Sequence, residues 1–187
     1  MSRNLKLITI GGLILIVVAL SVAYAALGQT LNVTGTAQVT GNTWDVKLQA
    51  GSCTKTGSAT AGTVTVSGTT ATVSGVKLAL PGDSVTCTAT VVNNGTVAAK
   101  LSSFSKKSVS IVGTSTTATA DANLISSNST YTVTYDGSAS PTTGSALAAG
   151  ASKEVKITIT FNSGATSVPT NAVNISNMGA TLSFAQG

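Results

Sequence analysis

Apolar and polar residues alternate along most of the chain after residue 26. In residues 27–39 the odd positions are mostly apolar, and every even position is polar or Gly. A period of two residues is typical of a β-strand with one buried face. The same alternation, rich in β-branched residues, recurs in eight further segments: 44–48, 62–66, 71–76, 85–92, 109–112, 131–135, 155–161 and 180–184.

Turn-forming residues separate these segments. Pro81-Gly82 predicts a tight turn in which Asp83 caps backbone amides, and Asn94-Gly95 predicts a turn with positive φ. Nine strands at this spacing predict an all-β fold, an antiparallel two-sheet sandwich of the jelly-roll or immunoglobulin-like kind. Only residues 118–124 suggest a short helical turn.

The predicted core consists of the side chains on the inner faces of the two sheets. They are Trp44, Val46, Leu78, Leu80, Val85, Val91, Leu101, Tyr131, Val133, Val155, Ile157, Ile159, Phe161 and Leu182.

The N-terminus has the pattern of an export signal. Arg3 and Lys6 precede an apolar run over residues 7–20, and Ala23-Tyr24-Ala25 then provides an A-x-A cleavage site before Ala26. Two other interpretations stay open: a retained membrane anchor, since about 20 apolar residues span a bilayer, and a pilin-type helix buried in a filament. The predicted organisation is a signal peptide or apolar helix over 1–25, an N-terminal strand over 26–39, and a β-sandwich over 40–187.

Charged residues make up 8% of the chain, against about 25% in typical soluble domains. Once Arg3 and Lys6 are set aside with the leader, eight of the ten basic residues remain against five acidic ones. The lysines are scattered, with Lys106-Lys107 the one adjacent pair, so the concentrated basic face of a nucleic-acid-binding protein is missing. A Thr-rich surface with few charges suits subunits that pack side by side.

The sequence contains no histidine. This excludes a Ser-His-Asp triad, a Cys-His pair and an HExxH zinc site. There is no Gly-rich phosphate loop, and the acidic residues do not cluster along the sequence. We therefore expect a protein that is not an enzyme and that has no catalytic residue, metal or cofactor. The acidic residues are Asp45, Asp83, Asp121, Asp136 and Glu154.

Two kinds of covalent modification can be read from the sequence. Cys53 and Cys87 predict one disulfide in an exported protein, with two free thiols as the alternative. Four N-x-S/T sequons matter if the host glycosylates exported proteins. They are Asn32, Asn94, Asn128 and Asn174, of which Asn128 lies in a polar stretch and is the best loop candidate.

Three segments together resemble the TasA/camelysin group of exported β-sandwich proteins. They are the leader running into Tyr24-Ala25-Ala26 and residues 30–37, Trp44-Asp45-Val46, and Leu80-Pro81-Gly82-Asp83 followed by Asn93-Asn94-Gly95-Thr96 and then Ala98-Ala99-Lys100-Leu101. The resemblance implies extracellular fibres of a biofilm matrix, in which the N-terminal strand of one subunit inserts into the sheet of the next. Some camelysin relatives are described as metalloproteases, and the absence of His argues against that activity here.

We therefore expect a structural subunit at the cell surface or outside the cell, with itself as partner. The donor strand would present Leu27, Leu31, Val33, Ala37 and Val39. The membrane would be contacted only through the N-terminal helix, and glycans are a further expected partner. The alternatives are pairing of residues 26–39 within their own domain, a monomeric membrane-anchored adhesion or binding module, and a pilin-like subunit that keeps its helix.

Overall fold

A computed structural model describes residues 13–17, 41–113, 115–171 and 173–187. The chain divides into two compact units, Met1–Thr40 and Gly41–Gly187. In the first, residues 13–17 are helical and their side chains are exposed. No helix within the described ranges is long and apolar enough to cross a membrane. The remaining predictions for this unit lie outside the described residues: the cleavage site at Ala23, Ala25 and Ala26, the donor positions Leu27, Leu31, Val33, Ala37 and Val39, and the sequon at Asn32.

The second unit is built mainly from antiparallel β-strands, which confirms the predicted all-β class. Its elements in chain order are β1 (Val46–Thr56), β2 (Thr63–Ser67), β3 (Thr70–Ser74), β4 (Ser84–Asn93), β5 (Ala99–Lys106), β6 (Ser110–Gly113), α1 (Thr116–Ser127), β7 (Ser129–Tyr135), β8 (Ala146–Leu147), β9 (Ser152–Phe161), β10 (Val173–Ser176) and β11 (Met178–Gln186).

The strands form three sheets. A four-stranded sheet has the order β1-β4-β9-β7, and a five-stranded sheet has the order β2-β3-β11-β5-β8. Strands β10 and β6 form a small sheet on which α1 packs. The two larger sheets share one hydrophobic core, because the alternation in each strand turns every second side chain towards the other sheet. Tyr135 on β7 meets Phe184 on β11 edge to face, with the ring centres 6.2 Å apart.

Most of the predicted core is buried, and two members of the list are wrong. Trp44 is 45% exposed because it precedes the first residue of β1, and Leu80 is 49% exposed because it lies at the turn before Pro81. Val46 and Tyr131 are partly buried against the core. The buried members are Leu78, Val85, Val91, Leu101, Val133, Val155, Ile157, Ile159, Phe161 and Leu182.

The two predicted turns have different outcomes. At Pro81-Gly82 the φ of Gly82 is 93°, and the amide of Asp83 donates to the carbonyl of Leu80 at 3.0 Å, which confirms a tight turn. At Asn94-Gly95 neither residue has positive φ, so that prediction is wrong. The loop instead bends around the buried side chain of Asn93, whose carbonyl oxygen accepts from the Gly95 amide at 3.1 Å.

Helix α1 confirms the helical turn predicted over residues 118–124 and extends it at both ends. Ser115 caps it by accepting a hydrogen bond from the Ala118 amide at 3.2 Å. The buried face consists of Ala118, Asp121, Ala122 and Ile125. This spacing places them along one side of the helix.

The predicted disulfide is present, so the two cysteines are not free thiols. Cys53 on β1 and Cys87 on β4 are paired directly across the two strands and are joined covalently. The register of β1 shifts between Ala50 and Cys53, which marks a β-bulge immediately before the bond.

Candidate assembly surface

The outermost strands β1 and β2 contact each other, although they belong to different sheets. We call this region the β1–β2 side. Its inward side chains are apolar: Leu48 is buried, and Val46, Val64 and Val66 are partly buried against the core. The margin of the core at this side is therefore covered by strands that each have one edge without a strand partner in the described part of the chain.

A narrow groove opens beside the start of β1. Its apolar lining consists of Val46, Leu48, Val91, Leu182 and Phe184, and Lys47 and the β2–β3 turn at Gly68-Thr69 complete it. We call it the edge groove. Its free volume of about 10 Å³ is far below the roughly 300–1,000 Å³ of small-molecule pockets. The edge groove can accept part of an apolar side chain, but not a substrate.

The sheet edges differ in how they are protected against pairing with another strand. On β1, Lys47 and Lys55 and the bulge before Cys53 disfavour such pairing. On β7, the Lys106 ammonium donates to the Tyr131 carbonyl at 3.3 Å. The edge strand β8 has only two residues. These features are among the devices by which monomeric proteins avoid association through their edges.

Strand β2 has none of these devices. Its five residues, Thr63–Ser67, contain no charge and no proline, and its outer edge has no strand partner among the described residues. The sequence pattern identified β2 only as a strand, because nothing in it indicates which strands will be outermost. Among the outermost strands of the two larger sheets, β2 is therefore the one that none of these features protects.

The chain enters the domain through a segment that is tightly held. The amide of Asn94 donates to the Asp45 carbonyl at 2.7 Å, and the amide of Thr96 donates to the Thr43 carbonyl at 3.0 Å. A Cβ on Gly95 would lie 2.5 Å from the Thr43 oxygen, so only glycine fits there. The motif at residues 93–96 thus anchors the segment that follows the predicted donor strand, a role that the sequence did not reveal.

Asp83 is buried and organises two loops. Its carboxylate accepts hydrogen bonds from the amides of Ser58 at 2.7 Å, Ala79 at 2.8 Å and Leu80 at 2.9 Å. Burial acts to raise the pKa of Asp83, but the backbone hydrogen bonds outweigh it and hold the pKa below its ordinary value. This confirms the predicted capping role and shows Asp83 to be a structural group.

Asp121 joins α1 to the loop at residues 170–171. Its Oδ2 accepts from the side chain of Asn171 at 2.8 Å, from the Asn171 amide at 2.7 Å, and from the amide and hydroxyl of Thr170 at 3.1 Å each. The hydrogen bond from the Asn171 side chain is the largest cause of the lowered pKa of Asp121. Burial acts to raise this pKa, and the other hydrogen bonds lower it further.

The other three acids are each paired with a lysine. The ion pairs are Asp45–Lys47 at 3.1 Å, Asp136–Lys153 at 2.7 Å and Glu154–Lys156 at 3.5 Å. Within residues 13–17, 41–113, 115–171 and 173–187, no three His, Cys, Asp or Glu side chains come together to form a metal site.

The tyrosines on β7 are poor acids in this fold. Burial raises the pKa of Tyr131, and burial together with the nearby Asp136 charge raises that of Tyr135 to about 12. Two clefts, of about 160 Å³ beside Tyr135 and about 170 Å³ beside Asn171, are smaller than typical ligand pockets of about 300 Å³ or more. The first of these clefts is lined by the Asp136–Lys153 ion pair described above.

The sequons occupy different environments. Asn94 and Asn174 are exposed. Asn128 is the turn residue between α1 and β7: it caps the C-terminus of α1, and its side-chain amide nitrogen donates to the Leu124 carbonyl at 2.9 Å. Searches of protein-family models, curated proteins and solved structures find nothing that matches this chain.

Proposed function

We propose that this chain is a structural subunit of an extracellular fibre or biofilm matrix, assembled by β-strand donation. Residues 26–39 of one subunit would add to the β2 edge of the next. The observation that carries this proposal is the uncharged edge of β2, which has no strand partner among the described residues and lies beside the edge groove.

The donor segment and the acceptor edge have matching chemistry. Residues 26–39 contain no charge and no proline, and their apolar positions alternate with polar ones. In strand addition the backbone hydrogen bonds provide affinity, and contacts of alternate side chains provide specificity. Leu27, Leu31, Val33, Ala37 and Val39 would face the β1–β2 side, where Val64, Val66 and the edge groove offer apolar contacts.

The proposal also covers the fold of the domain, its export and its partner. The domain is a two-sheet sandwich of the jelly-roll or immunoglobulin-like kind, preceded by an apolar helix that directs export. Cleavage after Ala25 frees the donor segment, and the protein acts at the cell surface or beyond it. It has no catalytic function and uses no cofactor, and its partner is another copy of itself.

A pair of substitutions in the donor segment tests the proposal. Val33→Lys places a charge on the apolar face of the donor strand and should abolish fibres, because burying an unpaired ammonium is unfavourable. Thr34→Lys places the same charge on the opposite face and should leave fibres intact. Electron microscopy and sedimentation of material recovered from the cell surface measure the outcome, and deletion of residues 26–36 should give soluble monomers.

Mixing the Val33→Lys variant with wild-type protein gives a second test. A Val33→Lys subunit keeps its acceptor edge, so a small amount should bind the free donor strand at one end of a wild-type fibre and stop growth at that end. Wild-type protein with a mature N-terminus near Ala26 that stays monomeric at high concentration would contradict strand donation. Fibres whose subunits retain the apolar helix would favour the pilin-like alternative, and membrane-held monomers would favour the anchored module.

A further inference from the structure

The outward face of the four-stranded sheet carries a regular array of hydroxyl groups. The strand register places eight hydroxyl side chains in two adjacent rows across β1, β4, β9 and β7. One row is Thr56, Ser84, Thr160 and Thr130, and the other is Thr54, Thr86, Thr158 and Thr132. We call these eight residues the hydroxyl array. Seven are threonines, and none is charged.

Contacts between neighbours hold the array in order. The hydroxyls of Ser84 and Thr160 lie 2.8 Å apart, and those of Thr86 and Thr158 lie 3.1 Å apart. Threonine is β-branched, so its side chain is also restricted about χ1. The positions of the methyl and hydroxyl groups are therefore largely fixed before any partner binds.

The spacing of the array is set by the sheet. Neighbouring strands lie about 4.8 Å apart, and alternate residues along one strand lie about 6.7 Å apart. Both repeats are close to the spacing of oxygen atoms on the prism faces of hexagonal ice. Each threonine presents a hydroxyl, which can replace a water molecule of that lattice, beside a methyl group that fits between lattice positions.

The chemistry of the array narrows the class of partner. An ice surface has no net charge and exposes both donors and acceptors, so it is complementary to an uncharged hydroxyl face. Nucleic acid requires concentrated cations, and the array contains none. Sugars commonly stack on aromatic rings, and no member of the array is aromatic. We propose that the hydroxyl array binds ice, a function separate from fibre assembly.

Two features limit the expected activity. The array spans only four strands, and the twist between neighbouring strands, about 20–25°, prevents all eight hydroxyls from meeting one plane. The next row of the same face contains Thr88, Lys156 and Thr134, and the charge of Lys156 interrupts its hydroxyl groups. The activity should therefore appear as slower growth of ice grains rather than as a large depression of the freezing point.

The five-stranded sheet provides an internal control face. One of its rows, Ser67, Thr70, Thr181 and Ser105, also carries four hydroxyls. The adjacent row is not continuous. Gly179, which has no hydroxyl, is paired with Thr72 on the neighbouring strand, and the Lys107 ammonium donates to the Thr72 hydroxyl at 3.1 Å. Ser105 on this face and Thr132 in the hydroxyl array are both exposed hydroxyl residues, and Ser105 lies on β5 rather than on the proposed acceptor strand β2.

The test compares four forms of the full chain in assays of ice-grain growth and of incorporation into a growing ice crystal. Wild-type protein should slow grain growth and enter the ice. Thr132→Lys should lose most of both activities, whereas Ser105→Lys should retain them. Thr158→Val, which keeps the shape of the side chain, should reduce the activity without adding a charge.

Circular dichroism and thermal melting establish that each variant is folded. Val33→Lys, designed to prevent strand donation, should keep the ice activity per molecule, so the two proposals fail independently. Folded wild-type protein that is excluded from ice overturns the inference, as does an equal loss in Ser105→Lys and Thr132→Lys. Binding to an insoluble polysaccharide with no effect on ice overturns it as well.

Discussion

The carboxylate of Asp83 joins loops that are distant in sequence. Its contacts with Ala79 and Leu80 are local, and the Pro81-Gly82-Asp83 motif allowed the sequence to predict them. Its contact with Ser58 is not local and depends on the packing of the loop after β1. Gly57 lies so close to the Asp83 carboxylate that a Cβ there would collide with it. The hydrogen bonds from Ala79 and Leu80 were therefore predictable from the sequence, and the hydrogen bond from Ser58 was not.

Replacing Asp83 by Asn tests the role of this cluster. The amide group cannot accept from all three backbone donors, so the free energy of unfolding should fall by about 2–3 kcal/mol at neutral pH. Because the Asp83 pKa is lowered in the folded state, this stabilisation is complete above the pKa of the unfolded chain. It is lost as the pH falls through the lower folded value.

The difference in stability between wild type and Asp83→Asn should therefore shrink below about pH 4, near the ordinary pKa of aspartate. Chemical denaturation at pH 7 and at several acidic pH values measures it. Asp45→Asn is the control, because Asp45 is exposed and its pair with Lys47 should contribute less than about 1 kcal/mol. A large effect at neutral pH that is unchanged at pH 2 would contradict this account.

At the scale of elements, alternation located the strands that are rich in β-branched residues. It missed β5, whose sequence is mostly Ala, Ser and Lys, and the short strands β8 and β10. β5 is held in place by its pairing with β11, a tertiary interaction that local propensity does not contain. The length of α1 was underestimated because its ends are rich in Thr and Ser, which have low helix propensity and favour caps and turns.

The candidate site was predictable only on the donor side. The pattern of residues 27–39 indicates a strand that is uncharged and apolar on one face. The acceptor depends on which strands are outermost, and this follows from long-range pairings such as β3 with β11. The absence of lysine from β2 could not be interpreted from the sequence alone, because the sequence does not show that β2 is an edge strand.

The disulfide links one edge strand to the centre of its sheet. Replacing both Cys53 and Cys87 by Ala opens a loop of sequence separation 34. We expect the free energy of unfolding to fall by about 3–4 kcal/mol, since the unfolded chain gains conformational freedom. Denaturant titration of oxidised wild type against the double variant measures the loss. A reductant should destabilise the wild type and leave the variant unchanged, and equal effects on both would contradict this role.

At the scale of the whole molecule, the shortage of charge is the dominant surface property. The outward faces of both large sheets are rich in Thr and Ser, and the acids are occupied by hydrogen bonds or ion pairs. Such a surface offers little long-range electrostatic attraction or repulsion between subunits. Contacts between copies should therefore depend on backbone hydrogen bonds and apolar burial.

Fibre assembly should accordingly be insensitive to ionic strength. The rate and extent of assembly, followed by light scattering, should change by less than about twofold between roughly 10 mM and 500 mM salt, although the Debye length shortens severalfold. Thr34→Lys adds one charge beside the donor face and serves as a variant in which some salt dependence should appear. A steep fall in wild-type assembly with added salt would instead indicate that ion pairs join the subunits.

The bond between β1 and β4 also determines how the domain responds to mechanical force. A pull on the N-terminal segment passes through residues 43–45, where the 94–96 loop holds the chain, and then reaches β1. Peeling of β1 can proceed through the bulge only as far as Cys53, because the covalent link to Cys87 carries the load beyond that point. The chain between these two cysteines cannot be extended while the bond is intact. A pull on the N-terminus can therefore extend only the residues before Cys53, until β4 itself is separated from the sheet.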